Sequence, residues 1–324
     1  MTKKQYGQYF TKYNPFKYEI FKEWADRFIK KNDVFLEPFA GSNNILNLII
    51  ETGLHNHWEC YDIDNTQVNA CPQYQVMQRD TIKDFPKGFN VCITNPPYLA
   101  KNSAKRMKLP YPDTHHVDLY LLCLEIMLNN CQYVAAIIPE SYITSGLFFE
   151  RLYAVISLNK KMFDDTECPV CLALFAPIED CDSPKVYVGD RFIGSFDDLA
   201  KYDLSEYADA GIKWIFNDKA GSIGVKCIDD TNKDDIKFFA GENIDPNDIK
   251  VSSRAFTRIS GLPEKIDLDL FIELCNQQIQ EYRENTQDVF LTSFKGLRKD
   301  NKYRRRMDFK TIKCIMNKVI LNNF

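Results

Sequence analysis

The chain has 324 residues, enough for one large domain or two ordinary ones. Lys plus Arg total 41 against 45 Asp plus Glu, a formal net charge of -4, so the overall basicity typical of nucleic-acid binders is missing. With 45% hydrophobic and 27% charged residues the composition excludes a disordered or fibrous chain, and no run approaches the roughly 18 apolar residues of a membrane span.

The opening residues Met1 to Tyr6 lack the apolar core of a secretory signal. Eleven cysteines are scattered without framework spacing, several of them inside apolar runs (Cys92, Cys123, Cys171). That is the usage of reduced, buried thiols in a cytoplasmic protein. Cys168 and Cys171 have CxxC spacing, but a zinc site wants a second pair, and His55, His57, His115 and His116 lie far off in sequence. They read as core-facing strand cysteines, and no metal is expected.

From about residue 33 to 176 short β-rich runs alternate with helical ones. The pattern predicts strands at 33–36, 58–61, 74–77, 90–94, 134–138 and 170–175, with helices over 43–50, 117–128 and 147–158. Near-continuous apolar strands alternating with helices argue an α/β fold, a mostly parallel sheet covered on both faces. After Pro177 the chain turns rich in Asp, Gly and Asn, with short hairpin strands such as 185–189 and an amphipathic helix over 264–284 opened by Pro263. The last thirty residues are basic and aromatic. The expected domains are therefore 1–178 and 179–324.

In open parallel sheets, ligands bind at the carboxyl ends of the strands. After the first strand comes Glu37-Pro38-Phe39-Ala40-Gly41, a carboxylate and a small-residue turn that lets a ligand approach backbone N–H groups at a helix start. The second strand ends at Asp62, placed either to accept from ribose hydroxyls or simply to cap the next turn. The third ends at Asp80, followed by Thr81. After the fourth stands Asn95-Pro96-Pro97-Tyr98, where two prolines fix the backbone so that a carbonyl and the Asn side chain can serve one locus, beside an aromatic ring.

In this combination the sequence resembles the S-adenosylmethionine-dependent adenine-N6 DNA methyltransferases of the gamma motif order, over about residues 5–177. Gln8-Tyr9-Phe10-Thr11 matches the motif before the first strand, and Leu36 to Gly41 the cofactor turn. Asp62 matches the ribose-binding acid, Asp80 the reader of the cofactor adenine, and Asn95 to Tyr98 the catalytic tetrapeptide. Asp118-Leu119-Tyr120, Ile138-Pro139-Glu140 and Phe163 to Thr166 match later motifs. One departure stands at Asn43, where many members have glycine.

The resemblance implies a Rossmann-like methyltransferase fold followed by a C-terminal mixed α/β target-recognition domain. Tyr9, Thr11, Glu37, Pro38, Ala40, Gly41, Asp62, Asp80 and Thr81 would bind S-adenosyl-L-methionine. The Asn95 side chain and the Pro96 carbonyl would accept the two hydrogens of a flipped-out adenine amine, localising its lone pair for attack on the sulfonium methyl. Tyr98 would stack on the base; Phe163 is either a second stacking residue or a core phenylalanine. Double-stranded DNA is the expected partner of a monomeric, membrane-free enzyme, with a cognate restriction endonuclease as its companion. RNA or a protein glutamine amide is the alternative substrate.

For phosphate contact the expectation falls on the loop 101–108, with Lys101, Lys105 and Arg106, and on the segment 295–318, with Arg304, Arg305 and Arg306. Ser252, Ser253, Arg254 and Arg258 form a weaker patch. The segment 295–318 carries a formal +8 and the other 300 residues -12, so the acidic average hides a polarised chain.

Overall fold

The computed structural model describes residues 13–64, 73–158, 161–163 and 168–324. Tyr9 and Thr11, and the motif residues after Phe163, lie outside the described residues. The chain divides into two units, Met1–Phe196 and Asp197–Phe324.

In the first unit, α1 (Glu19–Phe28) buries Ile20, Phe21, Trp24, Ala25 and Phe28, a helical face that the sequence expectations passed over. The Trp24 indole donates to the Phe175 carbonyl at 3.2 Å, so the one polar atom of this ring is satisfied in the core. Nine strands form one sheet in the order β3-β2-β1-β4-β5-β7-β6-β8-β9. They are β1 (Val34–Glu37), β2 (His57–Asp62), β3 (Val76–Gln78), β4 (Val91–Thr94), β5 (Tyr133–Pro139), β6 (Leu152–Leu158), β7 (Val170–Phe175), β8 (Lys185–Val188) and β9 (Arg191–Ser195). β1 to β5 are mutually parallel, whereas β7 runs antiparallel between β5 and β6. Helices α2 (Asn44–Ile50), α3 (Lys101–Met107) and α4 (Leu119–Asn130) follow β1, β4 and α3 in turn. This is the Rossmann-like methyltransferase arrangement, in which the strand order reverses between β1 and β4.

Three expectations need correction here. Residues 147–158 are not a helix: Phe149–Arg151 make one 3-10 turn and the rest is β6, every residue of it buried. A nearly all-apolar run without alternation suits a buried strand as well as a buried helix, and pairing with β7 on one side and β8 on the other decides between them. The basic stretch 101–108 is not a loop but the short helix α3, ended by Lys108 in the left-handed region at φ 54°. The hairpin β8–β9 extends the first sheet through β6, so the division between units falls after Phe196 and not at 178.

The second unit holds a four-stranded antiparallel sheet in the order β10-β13-β11-β12, built from β10 (Ile215–Phe216), β11 (Ile223–Lys226), β12 (Lys237–Ala240) and β13 (Phe256–Ser260). Helix α5 (Leu268–Thr286) is capped by Asp267, whose carboxylate accepts from Leu270 N; Pro263 thus precedes the helix and does not open it. The hairpin β14 (Thr292–Leu297) and β15 (Tyr303–Arg306) leads into α6 (Phe309–Asn323), and a core of Ile223, Val225, Phe271, Ile279, Met307 and Ile315 joins the sheet to both helices. No helix among the described residues is long and apolar enough to cross a membrane.

Candidate active site

Because β1 to β5 are parallel, their carboxyl ends lie along one edge of the sheet, and the motif residues meet there. Ala40 N donates to Tyr61 O at 2.8 Å and Gly41 N to the Asp62 carboxylate at 2.8 Å, which ties the turn after β1 to the end of β2. Thr81 Oγ1 donates to Pro38 O at 2.8 Å, bringing the residues after β3 to the same turn. Thr94, last in β4, donates through its hydroxyl to Glu37 Oε1.

The turn needs two residues with positive φ, Gly41 at 49° and Asn43 at 62°. Asparagine is one of the few residues other than glycine that enter the left-handed region readily. Asn43 thus does the conformational work that a glycine would do here, and its side-chain amide also donates to Tyr74 O at 2.9 Å. The departure noticed in the sequence therefore preserves the turn.

Glu37 is fully buried. Its Oε1 accepts from Phe39 N at 3.0 Å as well as from Thr94, but Oε2 is buried with no hydrogen-bond partner among the described residues. Burial pushes its carboxyl up to about 8, against the opposing effect of those two donors. Asp62, also buried, accepts from Gly41 N and from Asp64 N at 2.8 Å, and burial raises its carboxyl too. Asp80 is partly exposed and pairs with Lys83 at 2.9 Å.

Beyond β4, the Tyr98 hydroxyl lies 2.5 Å from Asn95 Oδ1 and 2.6 Å from the Ile137 carbonyl of β5. A phenol has one hydrogen to donate. The single phenol hydrogen is shared between Asn95 Oδ1 and the Ile137 carbonyl, which ties the Asn95 side chain to β5. The Tyr98 ring meets Tyr120 and Phe163 edge-on at 6.3 and 6.2 Å. Phe163 itself is 1% exposed and packs in the main core cluster. Of its two readings the structure supports the core phenylalanine, since a buried ring has no open face for a base. Cys171 is buried in β7 and Cys168 is partly buried against the same core.

The basic candidates separate. Lys105 and Arg106 are exposed on α3, while Lys101 donates to Thr114 O at 2.9 Å. In the second unit Arg305 is buried and donates to Ser293 Oγ and Leu291 O, so it is a structural residue and not a DNA contact. Arg258 likewise is buried, bonded to the Gly221 and Ile244 carbonyls. Arg304 donates to Asp229 O at 2.8 Å. Arg283, which sequence reasoning missed, is the centre of this region: it forks onto Asp229 at 2.8 and 2.9 Å and onto Asp288 at 2.7 and 2.8 Å. Burial of Asp229 is outweighed by these bonds, which hold its carboxyl below the usual range. The signal was a lone arginine on a helix face rich in amides and carboxylates.

Residues 29–166 match the model of the Eco57I restriction-modification methylase family. The matched segment covers less than half of the chain. It contains the cofactor turn, Asp62, Asp80 and the whole Asn95 to Tyr98 tetrapeptide. No curated protein matches the chain. Among solved structures, the methyltransferase subunit of a type I restriction-modification system from Streptococcus thermophilus is similar at 13% identity and a TM-score of 0.37, covering 55% of this chain and 49% of that one. The type IIG restriction endonuclease BpuSI is similar at 15% identity and a TM-score of 0.40, covering 55% and 27%. A dimethyladenosine transferase from Plasmodium falciparum is similar at 16% identity and a TM-score of 0.35, covering 53% and 64%. The chain thus spans less than two thirds of each, and these likenesses add nothing to what the sheet order already shows.

Proposed function

We propose that the methylase domain transfers a methyl group from S-adenosyl-L-methionine to N6 of an adenine flipped out of duplex DNA, as the modification enzyme of a restriction-modification system. The observation that carries this reading is the meeting of Asn95-Pro96-Pro97-Tyr98 with Glu37 and Asp62 at one edge of the sheet. The residues fit the cofactor: the partnerless Glu37 Oε2 suits a cationic ligand, and Asp62 sits where ribose hydroxyls would be accepted. Gly41, Asp62, Asp80 and Thr81 would hold its adenosine part and Glu37 its charged end. When bound, S-adenosylmethionine supplies an electrophilic sulfonium methyl.

The chain's own residues would then act on the amine. An exocyclic adenine amine is a poor nucleophile because its lone pair is delocalised into the ring. Asn95 Oδ1 and the Pro96 carbonyl would accept its two hydrogens and hold the lone pair toward the methyl donor. Oriented acceptors of this kind accelerate a reaction without a strongly basic group. The proton released after transfer passes to solvent. Tyr98 would fix the Asn95 amide and offer its ring to the base, and Lys105 and Arg106 would meet phosphates near the extruded nucleotide.

Asn95→Ala tests the reading. Labelled methyl transfer to duplex DNA should be lost while S-adenosylmethionine binding, measured by equilibrium dialysis, persists. Transfer that survives the substitution would remove Asn95 from the chemistry.

A further inference from the structure

Two basic patches stood apart in the sequence, one around Arg254 and one over 295–318, and each gives up arginines to structural work. Arg258 and Arg305 are buried and bonded to the protein itself. Arg298 is paired with Asp234 and Asp300, and Arg304 bonds Asp229 O. Among the described residues, Arg254 and Arg306 form no ion pair, and they come together. Both line one pocket of about 230 Å³ with Met307, Asp308 and Phe309.

The details of that pocket are those of an anion site. Arg306 Nε, at the end of β15, is buried with no hydrogen-bond partner among the described residues. A guanidinium so placed gains most from a ligand that accepts from its fork. Arg254 is held over the Phe309 ring at 5.3 Å, and Phe309 is stacked on Phe216 at 4.6 Å, so the exposed arginine rests on an aromatic shelf. Among the described residues its hydrogen bonds come from Nη1, to the Ser253 carbonyl at 2.7 Å and to Val251 O at 3.4 Å. The pocket also contains the Asp308 carboxylate, which caps α6 by accepting from Thr311 N at 2.8 Å. That single negative charge is already engaged by the helix start and stands against two guanidiniums.

We propose that this pocket binds one backbone phosphate of the DNA substrate, with Arg306 and Arg254 donating to its oxygens. The proposal rests on the DNA methyltransferase reading and goes beyond it by assigning a recognition-unit contact. A phosphodiester suits the site because its non-bridging oxygens carry a full negative charge that two guanidiniums can share. Binding there positions the duplex and carries no sequence information of its own.

The test uses the full chain and duplex oligonucleotides, with fluorescence anisotropy measured over a series of salt concentrations. Arg254→Gln and Arg306→Gln should each make the slope of log affinity against log salt shallower by about 1, equally for duplexes of different sequence. Arg306→Lys should keep the slope and weaken binding, because a point charge cannot replace the fork. Arg254 is exposed, so its variant is safe for the fold; thermal melts and S-adenosylmethionine binding check all three. A wild-type slope in variants that melt normally overturns the phosphate site and leaves the methyltransferase reading standing. Loss confined to particular sequences also overturns it, in favour of a base contact. If the unaltered protein binds duplex DNA without salt dependence and transfers no methyl to it, both readings fall.

Discussion

The two units use charge in opposite ways. In the first, the ionisable groups that matter are few, buried and acidic: Glu37 and Asp62 stand at strand ends and accept from backbone N–H groups or a hydroxyl. In the second, charge is dense, and much of it is internal scaffolding. Asp229, Asp234 and Asp288 gather around Arg283, so the cation that this acidic cluster neutralises is a guanidinium. On the proposed function, a buried acid at a strand end points to chemistry, whereas an arginine in a basic run is a weak pointer to a ligand until its partners are known. Burial and pairing, and not the number of charges, decide which of them face a substrate.

The comparison breaks most easily at Arg283. Removing one partner of a buried ion pair leaves the other charge uncompensated, so Arg283→Ala should cost about 3–5 kcal/mol. Urea melts should show that loss in the second unit, while S-adenosylmethionine binding survives. A loss under 1 kcal/mol would mean the network is dispensable.

Glu37 gives the next largest effect, and it depends on pH. Its carboxyl titrates near 4.5 in the unfolded chain and about 8 in the fold. A raised carboxyl contributes stability that is fully present below the unfolded value and is lost as pH rises toward the folded one. The protein without cofactor should therefore lose a few kcal/mol between these limits, and Glu37→Gln should flatten the profile. A cationic ligand favours the ionised form, so affinity for S-adenosylmethionine should rise with pH and level off near 8. Calorimetry showing a flat affinity across that window would separate Glu37 from the cofactor.

Tyr98→Phe sharpens the account of the tetrapeptide. It removes the phenol that touches Asn95 and Ile137 but keeps the ring, and should lower kcat roughly tenfold, equivalent to about one hydrogen bond. An unchanged kcat would leave only the ring with a role. The smallest effect belongs to Asn43. Asn43→Ala should cost about 1 kcal/mol, since alanine enters the left-handed region poorly, and Asn43→Gly should cost less. Thermal melts in which the two variants agree would mean that φ at this position does not matter.

Much of the first unit was readable in the sequence because backbone and burial there leave few options. β1, β4, β5 and β7 are short apolar runs ended by turn residues, and site residues stand at or just after the ends of β1 and β4. β6 was not readable: Leu152–Leu158 is apolar on both faces, so only its neighbours distinguish strand from helix. Nor was the end of the unit, because β8 and β9 join the sheet through a long-range pairing that local pattern cannot express. In the second unit the basic run was visible, but the fate of each arginine was not. Arg305 and Arg306 are neighbours in sequence and alternate across a strand, so one is buried in hydrogen bonds and the other faces the pocket.

The central claim is that the site at Asn95 methylates adenine N6 in DNA. The direct test incubates the protein with labelled S-adenosylmethionine and a mixture of duplex DNA, RNA and protein, followed by nucleoside and amino-acid mass spectrometry. The account predicts label in N6-methyladenine from the DNA, absent with Asn95→Ala. Label in RNA, in a glutamine side chain or in another DNA base would contradict it.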